Sequence, residues 1–229
     1  MREILTGIIN AMRLLFSLDK EVYEVIILSL YVSLTSTLLS GLVAVPCGII
    51  IGTKQFPFKK PLVRFIYTMM SLPPVIVGLI VYLFISRRGP LGHLGLIFTP
   101  TAMIIAQFLL VTPIITGILY NGAKEKGEEI KRVAKTLGAN PSQTLILLIK
   151  ELRFSIFTGL VSGFGRAISE VGAVMIVGGN IKGHTRVMTT TIAMLRNMGE
   201  YENAIAIGIV LLLISFVVNS FLYHLQQDS

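Results

Sequence analysis

Between Glu24 and Lys54 the chain runs through 29 residues without an Asp, Glu, Lys or Arg, and windows as clean recur at 65–86, 89–123 and 203–227. About 20 apolar residues cross a bilayer as a helix. A soluble fold of 229 residues has too little interior for four such stretches when 53% of its residues are already hydrophobic and only 14% charged, against the roughly 25% charged residues of an ordinary domain. The sequence therefore predicts an all-α polytopic membrane protein in which every span packs against the others as one domain. Its single cysteine, Cys47, lies inside the first window, so one chain builds neither a disulfide framework nor a cysteine-based metal site.

The formal net charge of +8 would fit nucleic acid, but the bases lie between the apolar windows and form no continuous stripe. No cleavable secretion signal is evident: Ile4 to Leu18 is interrupted by Arg13 and no A-x-A pattern follows. Residues 1–20 instead alternate at helical spacing, with Ile4, Leu5, Ile8, Ile9, Met12 and Phe16 on one side and Glu3, Asn10, Arg13 and Ser17 away from it. That pattern predicts an interfacial helix. The rival reading, a short extra span, has Arg13 badly placed for it.

Five spans are expected at 24–52, 62–86, 98–121, 154–178 and 203–225. The fourth carries Arg166 and Glu170 among glycines at 159, 163, 165, 172, 178 and 179. Small residues let helices approach closely in lipid, so this span belongs at the packed centre of the bundle. The connections 53–64 and 122–153 hold 11 Lys and Arg, against 8 spread over the other three polar segments. This bias orients the N-terminus outside, the C-terminus inside and loop 122–153 in the cytoplasm.

Loop 122–153 is helix-rich, stops at Gly138 and restarts at Asn140-Pro141, which predicts a helix, a tight turn and a second helix running into the fourth span. Such an elbow is either a socket for a cytoplasmic partner or a solvated amphipathic loop. The segment Ala134-Lys-Thr-Leu-Gly-Ala139 resembles the cytoplasmic coupling motif of type I ABC importer permeases. In that family the short helix docks on the ATP-binding subunit, so the resemblance implies that Glu129, Arg132, Val133, Ala134, Lys135, Leu137, Gly138 and Ala139 couple to an ATPase. Arg132-Val133-Ala134 departs from the family's Glu-Ala-Ala, and Lys150-Glu151 from its Leu-Pro.

A second stretch narrows the resemblance. Gly163-Phe-Gly-Arg166-Ala-Ile-Ser-Glu170-Val-Gly-Ala173, then Gly178-Gly-Asn-Ile-Lys-Gly-His-Thr-Arg186 and Thr189-Thr190-Thr191, resembles the permeases for tungstate and molybdate, as does Arg87-Arg-Gly-Pro-Leu-Gly92. Ile176-Val-Gly-Gly-Asn-Ile and Lys150-Glu151-Leu-Arg153 lean towards the tungstate branch. The resemblance implies a homodimer in the cell membrane, two copies of a cytoplasmic ABC ATPase, an extracytoplasmic tungstate-binding protein, no cofactor and no nucleic acid. The absence of a G-x-x-x-x-G-K-[ST] phosphate cradle agrees with a subunit that is not itself an enzyme.

Arg166 and Glu170, four apart, are expected on one helix face, where with Ser162 and Ser169 they form a candidate anion path or gate; the competing reading is a structural ion pair. Arg87, Arg88, Lys182, His184 and Arg186 are candidates for an external electropositive mouth or docking face. Pro73-Pro74 and Thr112-Pro113 are expected to bend their spans. His184 and His224 are not spaced as metal ligands, and no metal is expected.

Overall fold

The computed structural model of the protein describes Thr6, Asn10, Ala11 and residues 20–227. The expected interfacial helix at 1–20 thus lies almost wholly outside the described residues. Over 20–227 the chain forms nine α-helices and no strand: α1 (Lys20–Thr53), α2 (Lys59–Met70), α3 (Pro74–Ile85), α4 (Pro100–Thr136), α5 (Pro141–Glu151), α6 (Arg153–Ile168), α7 (Gly172–Gly178), α8 (Met188–Asn197) and α9 (Tyr201–Gln227). A single 3-10 turn, Gly92–Leu94, lies between α3 and α4.

Helices α1, α4 and α9 are each long and apolar enough to cross a membrane, and the two bent pairs α2–α3 and α6–α7 bring the number of candidate spans to five. The second span bends at its proline pair as expected, and the fourth bends where no break was expected. The stretch 62–86 is not one straight span, because Pro73 and Pro74 end α2 and restart the chain as α3 at 98° to it. Each piece has 12 residues, about 18 Å of helix, short of the roughly 30 Å hydrocarbon core. The stretch 154–178 is likewise broken, by 58° between α6 and α7.

Helix α4 differs from expectation in the opposite sense. Pro113 lies inside it without ending it, and the helix continues through the whole first half of the expected loop 122–153. Its 37 residues make a rod of about 55 Å. Gly127 does not interrupt it, because its missing side chain leaves room for Thr53 of α1.

Close approach of α1 and α4 forms the spine. Residues Ser29, Ser33, Ser36, Ser40, Ala44, Gly48 and Gly52 recur at helical spacing on α1 and are buried. A Cβ added at Gly48 would run into Leu119 and the α4 backbone, so only glycine allows this separation. Around the spine, Val32, Val77, Val81, Met103, Val174 and Val177 unite α1, α3, α4 and α7. On the other flank Ile26, Phe164, Ile168, Met188 and Val210 unite α1, α6, α8 and α9. Helix α6 packs against α1, α4 and α9, the central position expected from its glycines. Gly159 and Gly163 meet Leu119, Ile115 and Val111 of α4.

Candidate functional site

The centre of the molecule is the break between α6 and α7. Helix α6 ends at Ile168, so Glu170 is not on the helix face that carries Arg166, as its spacing implies, but in the turn beyond it, where its N–H donates to the Ala167 carbonyl. Arg166 Nη1 lies 2.9 Å from Glu170 Oε2. The other carboxylate oxygen, Oε1, accepts the Ala173 N–H at 3.0 Å, and the Glu170 carbonyl accepts the Thr189 hydroxyl at 2.8 Å. Both oxygens of a carboxylate only 4% exposed are therefore engaged inside the fold, while the Arg166 side chain remains 34% exposed. A buried carboxylate so satisfied fixes the bend, and its arginine presents the remaining donors outward.

Ser162 and Ser169 share that outward side of α6. Both are exposed, and Ser169 donates back to the Gly165 carbonyl at 2.8 Å. Ser162 lines a recess of about 600 Å³ together with Thr158 and, from α9, Asn219 and Ser220. The structure thus brings Ser162, Arg166 and Ser169 onto one open face with Glu170 beneath it. A lipid-facing helix does not carry such a face without cost.

Sequence reasoning missed Gln107. It is buried on α4, donates to the Ala167 carbonyl at 2.9 Å and accepts the Ser36 hydroxyl at 2.8 Å, so one amide ties α1, α4 and α6 together next to the Arg166–Glu170 pair. The signal was present: a lone amide in an apolar span must find partners when buried. A cavity of about 10 Å³ beside it, bounded by Ser33, Gln107, Glu170 and Thr189, has the room of one water molecule.

At one end of the bundle the 178–187 loop folds tightly, with the His184, Thr185 and Arg186 N–H groups all donating to the Ile181 carbonyl. Lys182 pairs with Glu21 at the start of α1. Lys182, His184 and Arg186 border a recess of about 450 Å³ shared with Glu21 and Glu24. Arg87 and Arg88 are exposed in the turn after α3 and do not line that recess, so the structure assembles three of the five expected external bases and leaves two apart.

At the opposite end stands the elbow. Gly138 ends α4 with φ +72°, its N–H donating to Lys135 and that of Ala139 to Ala134. Asn140 and Gln143 then cap α5 reciprocally, at 2.9 and 2.8 Å. Of the expected coupling residues, Ala134 is buried and Glu129, Arg132, Val133, Lys135, Leu137 and Gly138 are exposed, with Ala139 between. Leu137 is 78% exposed, and Leu145 and Ile146 of α5 are open as well. Below them Leu148 and Leu152 anchor the elbow on Ile49 and Ala123, and Lys131 Nζ donates to the Thr53 carbonyl at the end of α1 at 2.7 Å. Because α4 is unbroken, the elbow and Gln107 sit on one continuous helix.

Residues 44–228 match the family described as the inner membrane component of binding-protein-dependent transport systems. The chain is 54% identical over 228 residues, all of both chains, to a tungstate uptake system permease, TupB, of Peptoclostridium acidaminophilum. It is 38% identical to TupB of Campylobacter jejuni, covering 98% of this chain and 94% of that one. A molybdenum transport system permease, ModB, of Mycobacterium tuberculosis is 26% identical over 84% of this chain and 75% of its own. With this extent of match to the family and these full-length relatives, the chain belongs to the inner membrane permeases of binding-protein-dependent transport systems.

Proposed function

We propose that two copies of this chain form the membrane-spanning part of an ATP-driven importer that takes tungstate from an external binding protein into the cell. The observation that carries this reading is the open face of α6, where Ser162 and Ser169 are exposed and Arg166 partly so, on a helix whose other side packs against α1 and α4. Facing a second copy across a two-fold, that face lines a watery path in which Arg166 attracts a dianion and Glu170 holds the bend that positions it. Tungstate is favoured over molybdate because the relatives named for tungstate are 54% and 38% identical and the molybdenum permease 26%.

The elbow fits the docking of an ATPase: apolar side chains such as Leu137 and Ile146 stand open at the end of the bundle rich in Lys and Arg, where lipid does not cover them. That end is the cytoplasmic one in this reading, which puts the N-terminus and the loop bearing Lys182, His184 and Arg186 outside, facing the binding protein together with Arg87 and Arg88. ATPase closure then moves Gly138 and Ala139, and the α4 rod transmits the movement to Gln107 and the α6–α7 bend. The test is reconstitution of the chain with its ATPase and binding protein. The reading expects no ATP turnover by the chain alone and turnover stimulated by loaded binding protein in the complex; turnover indifferent to that protein contradicts it.

A further inference from the structure

We propose that the cleft between α2 and α4 is a binding site for the phosphate of an anionic phospholipid. The cleft has a volume of about 610 Å³ and lies at the same end of the molecule as the Gly138 elbow. Lys59, Lys60 and Arg64 of α2 and Lys124 of α4 line it, opposed by one carboxylate, Glu128. Among the described residues none of these four cations is within ion-pair distance of an acid. The cleft is also built rather than merely charged. Lys59 Nζ is tethered to the Gly52 and Lys54 carbonyls at 3.3 and 2.9 Å, leaving a donor direction free, and the ammonium groups of Lys59 and Lys124 both stand about 6 Å from the Tyr120 ring centroid. Tyr67 closes the wall, edge-on to Tyr120, with its hydroxyl donating to Asn121 at 2.7 Å.

The commitment to a lipid comes from α2. None of its residues is buried, it turns 98° away from α3, and Phe58 and Phe65, 81% and 60% exposed, stand beside the lysines. A short helix lying across the end of a span, with aromatic residues open and cations next to them, has the composition of the membrane–water boundary. Lipid phosphates are concentrated there, and each nearby Lys or Arg attracts them. A phosphate in the cleft accepts hydrogen bonds from α2 and α4 together and so ties the hinge before Pro73 to the rod that carries the elbow.

The test uses the full chain in nanodiscs of phosphatidylcholine with phosphatidylglycerol, released into detergent and weighed by native mass spectrometry. The expected result is retained phosphatidylglycerol in preference to phosphatidylcholine, and about thirtyfold weaker retention in Lys60→Gln/Arg64→Gln. Both residues are exposed, so the variant keeps the fold, and Lys60→Arg/Arg64→Lys, which keeps the charge, retains the lipid. Inorganic phosphate added as competitor distinguishes the sources of the anion: displacement only by short-chain phosphatidylglycerol supports a lipid site. Displacement by inorganic phosphate at the same concentration, equal retention of both lipids, or unchanged retention in the Gln variant overturns the proposal.

Discussion

Arg166 and Glu170 are joined at 2.9 Å across the end of α6, and the same carboxylate accepts the Ala173 N–H at the start of α7. The pair is therefore asymmetric: Glu170 holds backbone, Arg166 holds Glu170 and reaches outward. Glu170→Ala is expected to destabilise the chain by about 3 kcal/mol, since it strands both the arginine and the amide. Arg166→Gln is expected to leave assembly nearly intact and to depress oxyanion uptake. Assembly by size-exclusion chromatography and uptake in cells separate the two. If Glu170→Ala assembled normally, the carboxylate would not be the pin of this bend.

Gly138 has φ +72° with open space around its missing side chain, so substitution there acts through the backbone and not through a clash. A β-branched residue in this conformation costs about 1–2 kcal/mol. Gly138→Val should remain inserted yet lose co-purification with the ATPase and lose uptake, whereas Gly138→Asn, which tolerates the left-handed region, should keep most of both. Equal loss in both variants would point to a surface role for Gly138 rather than a conformational one.

Gln107 is a prediction that the sequence alone did not supply. Gln107→Leu leaves the Ser36 hydroxyl and Ala167 carbonyl without this partner and is expected to cost about 1–3 kcal/mol. Thermal unfolding followed by circular dichroism in detergent measures the loss. Uptake should fall as well, because the amide is the hydrogen-bonded link between the α4 helix and the α6–α7 bend.

The glycines of α6 would separate packing within the chain from packing between copies in the proposed dimer. Gly163 abuts Val111 and Ile115, whereas a Cβ at Gly165 meets nothing within 4 Å. Gly163→Leu is therefore expected to destabilise the isolated chain by about 1–3 kcal/mol through overpacking. Gly165→Leu should leave its thermal transition unchanged and weaken association of two copies, read by cross-linking in the membrane. An unchanged dimer in Gly165→Leu would remove this face from the interface.

Charge-free windows made the apolar segments legible, and the Gly138 stop and Asn140-Pro141 start made the elbow legible, because those signals are local. The bends were less so. Pro73-Pro74 announced a break but not its 98°, which depends on how α3 packs against α7 and on α2 laying Ile66 and Met70 against Gly117 of α4. Continuity of α4 through Pro113 and Gly127 was hidden because it rests on contacts with α1, the Thr53–Gly127 approach and the Lys131–Thr53 hydrogen bond among them. Gln107 was visible as a residue and silent as a site, since its two partners lie 71 and 60 positions away.

The most direct measurement is uptake of radiolabelled tungstate by proteoliposomes containing this chain and its ATPase, with the binding protein outside and ATP within. The account predicts accumulation that requires ATP and binding protein, is suppressed by excess unlabelled tungstate more than by equal molybdate or sulfate, and falls sharply in Arg166→Gln. Accumulation that persists without ATP, or that molybdate suppresses better than tungstate, would contradict it.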